Sequence, residues 1–110
     1  MLTRDVVIET VRDYAQRIEA NGVNLRIVIL YGSFAKGTQH EWSDIDVALV
    51  ADKFNGNPFH DKKRFPYIGK EPYVRIENKT YPTAYFLESD PFIEEIKKDG
   101  IVILNKLNSD

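Results

Sequence analysis

The residues best suited to chemistry in this chain are Gly32 and Ser33, followed after a short loop by Asp44 and Asp46. Side chains alternate along a strand, so Asp44 and Asp46 share one face with Cα atoms roughly 6.6–6.8 Å apart. Two carboxylates held that close repel, which disfavours joint ionisation unless a cation stands between them. Magnesium suits that place: it is a hard ion that takes one or two carboxylates and keeps its other positions for water and phosphate oxygens. Gly32 and Ser33 offer the complementary half of such a site, with close backbone approach, N–H groups, a hydroxyl and the start of a helix to meet phosphate. Taken alone, the aspartates also read as the start of a strand, and Gly32-Ser33 as an ordinary turn.

The elements that must hold these residues can be read around them. Leu25 to Tyr31 is a run of mostly apolar, β-branched residues that predicts a buried strand ending at the Gly-Ser turn. Phe34 to Thr38 predicts a turn of helix, and the polar residues from Gln39 to Ser43 a loop. Asp44 to Val50 predicts a second strand anchored in the core by Ile45 and Val47. Upstream, Val7, Val11, Tyr14, Ala15 and Ile18 recur at helical spacing, predicting an amphipathic helix over Thr3 to Ala20 with Thr3 as N-cap and Asn21-Gly22 as its stop. The stripe is read as core packing.

Downstream, Asp52 to Lys70 is the least regular stretch, broken by Asn55, Gly56, Pro58, Pro66 and Gly69, with Asp61 to Phe65 too short and charged to predict a helix. Its basic cluster Lys62, Lys63 and Arg64 reads as a solvated turn, or as a contact for an acidic partner or a nucleotide tail. Pro72 to Glu77 predicts a third strand with Val74 and Ile76 on one face. Tyr81 to Phe86 suits a pocket wall or the edge of the sheet. Asp90 and Pro91 predict the start of a helix with Phe92, Ile93 and Ile96 inward, stopped at Gly100 and followed by a short strand, Ile101 to Leu104. Trp42 reads as a packing anchor or a base-stacking surface, and His40 and Glu41 as solvent-exposed loop residues.

Composition narrows the function classes. A length of 110 residues predicts a single domain over 1–110 with its own core. A hydrophobic share of 43% beside 29% charged residues fits a soluble globular chain and not a disordered one. A net charge of −2 argues against extended nucleic-acid binding, which ordinarily needs a basic excess. With no cysteine, thiolate metal sites and cysteine catalysis are out of reach. The early charges of the N-terminus do not match a secretory signal, and no apolar run approaches the ~20 residues of a membrane span, so the expectation is a cytoplasmic protein without membrane association.

The motifs Gly32-Ser33-Phe34-Ala35-Lys36-Gly37 and Trp42-Ser43-Asp44-Ile45-Asp46, each beside an apolar strand, closely resemble the minimal nucleotidyltransferases of the DNA polymerase beta-like superfamily. The C-terminal PFIEEIKKDGIVIL resembles the end of the same proteins, so the likeness covers nearly the whole chain and is weakest across Asp52 to Lys70. It implies an α/β (α+β) fold, a small mixed β-sheet flanked by helices. It also implies transfer of a nucleoside monophosphate, AMP from ATP, to a hydroxyl acceptor by a two-metal mechanism. Two Mg²⁺ ions would be held by Asp44, Asp46 and a third carboxylate, for which Glu77 in Arg75-Ile76-Glu77 matches some relatives. Gly32 and Ser33 would bind the β and γ phosphates. Lys36 stands where the family commonly has arginine; it is either a point-charge phosphate contact or a solvated loop lysine. Ser43 either caps the strand entry or touches the metal's water shell. Small proteins of this kind are often paired with a HEPN-domain partner in a toxin–antitoxin module, acting as antitoxin and in some cases adenylylating the partner. A homo-oligomer is the other assembly implied. Two other functions stay open: a non-catalytic nucleotide-binding antitoxin, and a transferase acting on a small aminoglycoside-like molecule.

Overall fold

An amphipathic helix is stable once its apolar stripe meets another apolar face. In the computed structural model, which describes residues 2–107, the first helix finds that face on a sheet. Helix α1 spans Arg4–Ala20, with the Thr3 hydroxyl accepting from Val6 N at its start and Asn21 at its end. Val7, Val11, Tyr14, Ala15 and Ile18 are all buried, as their spacing predicts. Then follow β1 (Leu25–Tyr31), α2 (Ser33–Lys36), β2 (Ile45–Ala51), α3 (Pro58–Asp61), a 3₁₀ turn (Tyr73–Arg75), β3 (Ile76–Pro82), α4 (Thr83–Glu88), α5 (Pro91–Asp99) and β4 (Ile101–Asn105).

The strands form one mixed sheet in the order β3-β2-β1-β4. Strand β1 runs antiparallel to β2 and β4, whereas β2 and β3 are parallel. Both faces of the two central strands are covered, which is why they read as nearly unbroken apolar runs. Leu25, Val28, Leu30, Ile45, Val47 and Leu49 pack towards α1. Ile27, Ile29, Ala48 and Val50 pack with Phe86, Ile93 and Ile96 of α4 and α5. The architecture is a small mixed α/β sheet flanked by helices, as the family resemblance implies. Among the described residues, no helix is long and apolar enough to cross a membrane.

Parallel neighbours cannot be joined by a tight hairpin and need a crossover of a dozen or more residues. Residues 52–75 are that crossover, and the irregular composition read there follows from its being mostly loop. One buried carboxylate ties it down. Asp61 is only 5% exposed and accepts from Asn55 N (3.0 Å), Gly56 N (2.8 Å) and Thr80 Oγ1 (2.7 Å), with His60 Nδ1 also 2.8 Å away. Burial works to raise its pKa, but the His60, Thr80, Asn55 and Gly56 contacts outweigh it and hold the carboxyl below its ordinary value. Asp61→Ala leaves these donors unpaired in the interior and is expected to cost about 2–3 kcal/mol in urea unfolding at neutral pH. A carboxyl with a depressed folded pKa stabilises above its unfolded pKa, and this contribution disappears as pH falls through the folded value. The gap between Asp61→Ala and the unaltered chain should therefore narrow in acid.

Several expectations need correction. The stretch Pro72 to Glu77 is not a strand throughout: Tyr73–Arg75 forms a helical turn, and the strand starts at Ile76 and runs to Pro82. Arg75 Nε bonds both oxygens of Glu71 one turn back (2.9 and 3.1 Å), which fastens the turn against extension. Val74 accordingly lies 51% exposed instead of sharing a buried face with Ile76. Within the irregular stretch, Pro58–Asp61 makes one turn of helix capped by Asn57, ending where the Asp61 to Phe65 segment begins, for which the sequence predicts no helix. Phe92 is not inward; a nine-residue helix turns one face to the sheet, and Ile93 and Ile96 occupy it. Trp42 is 74% exposed and is no packing anchor. Tyr81 to Phe86 does lie at the edge of the sheet, at the end of the outer strand β3 and the start of α4, with Tyr81 and Phe86 turned into the core and Tyr85 exposed.

Candidate active site

The turn after β1 is held in a shape that only glycine accepts easily. Gly32 has φ 75° and ψ −152°, a region closed to other residues by their Cβ. A side-chain carbon at that position would overlap Asp46 Oδ2 and stand 3.1 Å from Asp46 Cγ. The absence of a side chain at residue 32 thus gives the Asp46 carboxylate its place against the backbone of the turn. Helix α2 begins at once with Ser33, and Lys36 N donates to Gly32 O (3.1 Å). From α1, Arg4 donates through Nε to Phe34 O and through Nη2 to Ala35 O, both at 3.0 Å, satisfying the carbonyls at the end of α2. Arg4 has the polar-face spacing of an ordinary surface arginine, so nothing in the sequence marks this bond.

Sheet register gathers the acidic residues. Tyr31 pairs with Asp46 across β1 and β2, and Asp46 pairs with Glu77 across β2 and β3. Asp44 lies one residue before β2, fully on the exposed rim, whereas Asp46 is partly buried. Burial, then the neighbouring charges of Glu77 and Asp44, push the Asp46 carboxyl above its ordinary pKa. Burial together with Asp46 and Glu77 pushes the Tyr31 phenol up to about 12, so it stays a neutral donor at any physiological pH. The turn, both aspartates and Glu77 therefore meet at one end of the sheet.

The donor set suits a hard divalent ion: carboxylate oxygens only, whose mutual repulsion a cation relieves. Among the described residues, no three acidic or histidine side chains converge on a common point. Ligation would therefore draw these three carboxylates closer together. Lys36 is exposed in the last turn of α2. Ser43 is 5% exposed, and its hydroxyl accepts from His40 N (2.9 Å) while Ser43 N donates to His40 O (3.1 Å), so it closes the loop that leads into β2.

Aromatic and cationic groups border the carboxylates. Phe92 meets Tyr31 edge to face at 5.9 Å, and Lys79 Nζ lies 4.3 Å from the Phe92 ring centroid. Lys79 follows Glu77 by two along β3 and shares its face. On the loop side, the Arg75 guanidinium sits 5.9 Å from the Trp42 ring and donates to Glu41 O (2.7 Å). Tyr31, Lys79 and Arg75 were beyond reach of sequence reading. Tyr31 ends a strand whose limits are legible in the sequence but whose register is not, Lys79 needs the true start of β3, and Arg75 lies in a helical turn.

Comparison with known proteins identifies the family and the fold. Residues 12–108 match the family model described as "Polymerase beta, Nucleotidyltransferase". No curated protein sequence matches the chain. Among solved structures, a toxin-antitoxin crystal structure with AMP-PNP aligns with a TM-score of 0.59 at 16% identity, over 88% of this chain and 75% of that one. A mutant of the toxin-antitoxin MntA-HpeT aligns with a TM-score of 0.55 at 18% identity, over 99% and 78%. At such identities the structural likeness speaks for the fold alone. The family match extends from within α1 to beyond β4 and takes in the turn and all three carboxylates. This chain belongs to the polymerase beta nucleotidyltransferase family.

Proposed function

We propose that this protein is a magnesium-dependent nucleotidyltransferase that moves AMP from ATP to a hydroxyl on a partner protein, as the antitoxin side of a toxin–antitoxin pair. The observation that carries the reading is the alignment of Tyr31, Asp46 and Glu77 on neighbouring strands, with Gly32 closed against the Asp46 carboxylate. Two solved structures that it resembles are toxin-antitoxin proteins, and one holds AMP-PNP. These support an adenine nucleotide and a toxin partner, for which a HEPN-domain protein is our candidate.

Asp44, Asp46 and Glu77 would hold magnesium, which when bound neutralises the triphosphate and acidifies the acceptor hydroxyl. The chain's own part is positioning. Gly32 lets the backbone approach the β and γ phosphates, and the Ser33 hydroxyl and N–H donate to them. Lys36 lies one helical turn further on, where its ammonium can add a point charge to the phosphate tail. Ser43 acts indirectly, by fixing the loop that delivers Asp44. Glu77, exposed at the head of β3, is the carboxylate an acceptor hydroxyl can reach. The hydroxyl oxygen bonds the α-phosphorus as its proton passes to the Glu77 carboxylate and on to water, the bond to the α–β bridging oxygen breaks, and the β and γ phosphates leave as pyrophosphate. Orientation and charge placement supply most of the rate in such transfers.

Intact-mass spectrometry of the co-expressed partner, after incubation with Mg²⁺ and each nucleoside triphosphate in turn, tests this reading. An added adenosine monophosphate is expected. A partner that stays unmodified while the complex binds ATP would favour a binding-only antitoxin.

A further inference from the structure

The basic cluster Lys62-Lys63-Arg64 takes no part in the site above, and the fold divides its members. Lys62 turns inward and donates to Asn78 O (3.2 Å). Lys63 and Arg64 instead border a cavity of about 480 Å³ at the other end of the sheet. Lys53, from the turn after β2, and His60, from α3, complete its polar wall, and Val23 and Phe54 supply apolar surface. The cavity adjoins Ala51, five residues along β2 from Asp46, which is roughly 17 Å away at strand rise.

The charge balance inside this cavity is one-sided. Its two carboxylates are already engaged: Asp52 pairs with Arg26 (3.3 Å), and Asp61 is saturated by the donors that hold the crossover. Lys53, Lys63 and Arg64 have no ion-pair partner among the described residues. Three cations without an ion-pair partner thus line one concavity beside a single unpaired carboxylate, Asp61, whose charge its neutral donors do not cancel, in a chain whose net charge is −2. Cations on separate segments attract anions, and a concave wall strengthens the local field.

We propose that this cavity is a second binding site, for a small phosphate-bearing molecule of nucleotide size. The volume lies within the range of small-ligand pockets. The cations crowd one concavity and do not trace a long groove, and the chain as a whole is acidic, so a compact anion fits better than a nucleic-acid strand. The cations supply the phosphate contacts, and Val23 and Phe54 a dry wall for the rest of the molecule. The site owes nothing to the aspartates and stands whether or not transfer occurs.

The test is titration of the intact chain with inorganic pyrophosphate and with AMP in EDTA, where the metal-free carboxylates at the far end repel both. Amide chemical shifts report the location. Saturable binding with shifts centred on Val23, Lys53 and Phe54 is expected, unchanged in Asp46→Asn. The Lys63→Glu/Arg64→Glu double variant alters exposed side chains only, and it should weaken binding at least tenfold while melting like the unaltered protein. Shifts centred on Gly32 and Ser33, binding indifferent to the charge reversal, or no saturation by millimolar ligand would each overturn the proposal. So would a preference for single-stranded oligonucleotide over both small anions.

Discussion

Asp46→Asn is expected to cut nucleotidyl transfer by about 10³-fold or more, equivalent to roughly 4 kcal/mol of transition-state stabilisation. The change keeps the shape of the side chain and removes its charge. Asp46 is central among the three carboxylates, paired in register with Glu77 and preceded on the same face by Asp44. Losing it leaves a divalent ion with two separated ligands. The same variant should fold at least as well as the unaltered chain. Burial, Glu77 and Asp44 raise the folded pKa of Asp46, so the folded state favours its protonated form. That preference stabilises the fold at low pH and vanishes as pH rises through the folded value, leaving a charged Asp46 as a cost at neutral pH. Urea unfolding at pH 7 in EDTA should therefore show Asp46→Asn equal or more stable. Added Mg²⁺ should raise the melting temperature of the unaltered chain and not that of the variant. An active, well-folded Asp46→Asn would remove the mechanism.

Gly32→Ala should lose transfer by about 100-fold or more and also weaken the fold. The backbone angles at residue 32 cost about 1–3 kcal/mol for a residue bearing a Cβ. The new methyl would also occupy the space of Asp46 Oδ2, so the carboxylate must rotate or the turn must open. Either response separates the backbone of the turn from the Asp46 carboxylate. Substitution at Ser33 tests a different point, since Ser33→Ala removes one donor without moving Asp46. Its loss of activity should be smaller, and its stability close to that of the unaltered chain. Equal effects from the two substitutions would mean that close packing against Asp46 is not what residue 32 provides.

Much of this architecture was legible because local and tertiary demands agree. In β1, seven consecutive residues suit a strand and the neighbours on both faces are apolar, so its limits follow from its composition. In α1, one stripe and two caps define the helix from either end. The failures come where a distant contact decides. Strand β3 carries the polar sequence IENKTYP; it is a strand because it lies beside β2, with Thr80 Oγ1 bonded to Asp61 and Asn78 Nδ2 to the Tyr14 hydroxyl. Before it a local contact misleads instead: VRI alternates like a strand, yet Val74 N donates to Lys70 O and Arg75 N to Pro72 O, closing Tyr73–Arg75 into a turn that the Arg75–Glu71 pair fastens. Asp61 looks like one charge among several in a loop, and only the fold reveals its four partners.

The candidate site was legible to a similar degree. Gly32, Ser33, Asp44 and Asp46 are close in sequence, and a single strand-turn-strand unit brings them together. Glu77 reaches them through the parallel pairing of β2 with β3, after a crossover that sequence periodicity does not describe. Arg4, which fastens α2 from α1, and Tyr31, which sits across from Asp46, have no motif to announce them. Trp42 stands exposed on the rim because its ring meets the Arg75 guanidinium in place of the core.

The most direct test of nucleotidyl transfer is positional labelling. The complex with its partner would be incubated with Mg²⁺ and ATP carrying label on the α-phosphate in one reaction and on the γ-phosphate in another. Attack on the α-phosphorus predicts α-label retained on the partner protein, γ-label released as pyrophosphate, and neither event with Asp46→Asn. Label entering the partner from the γ-phosphate, or from neither position while ATP is bound, would contradict the account.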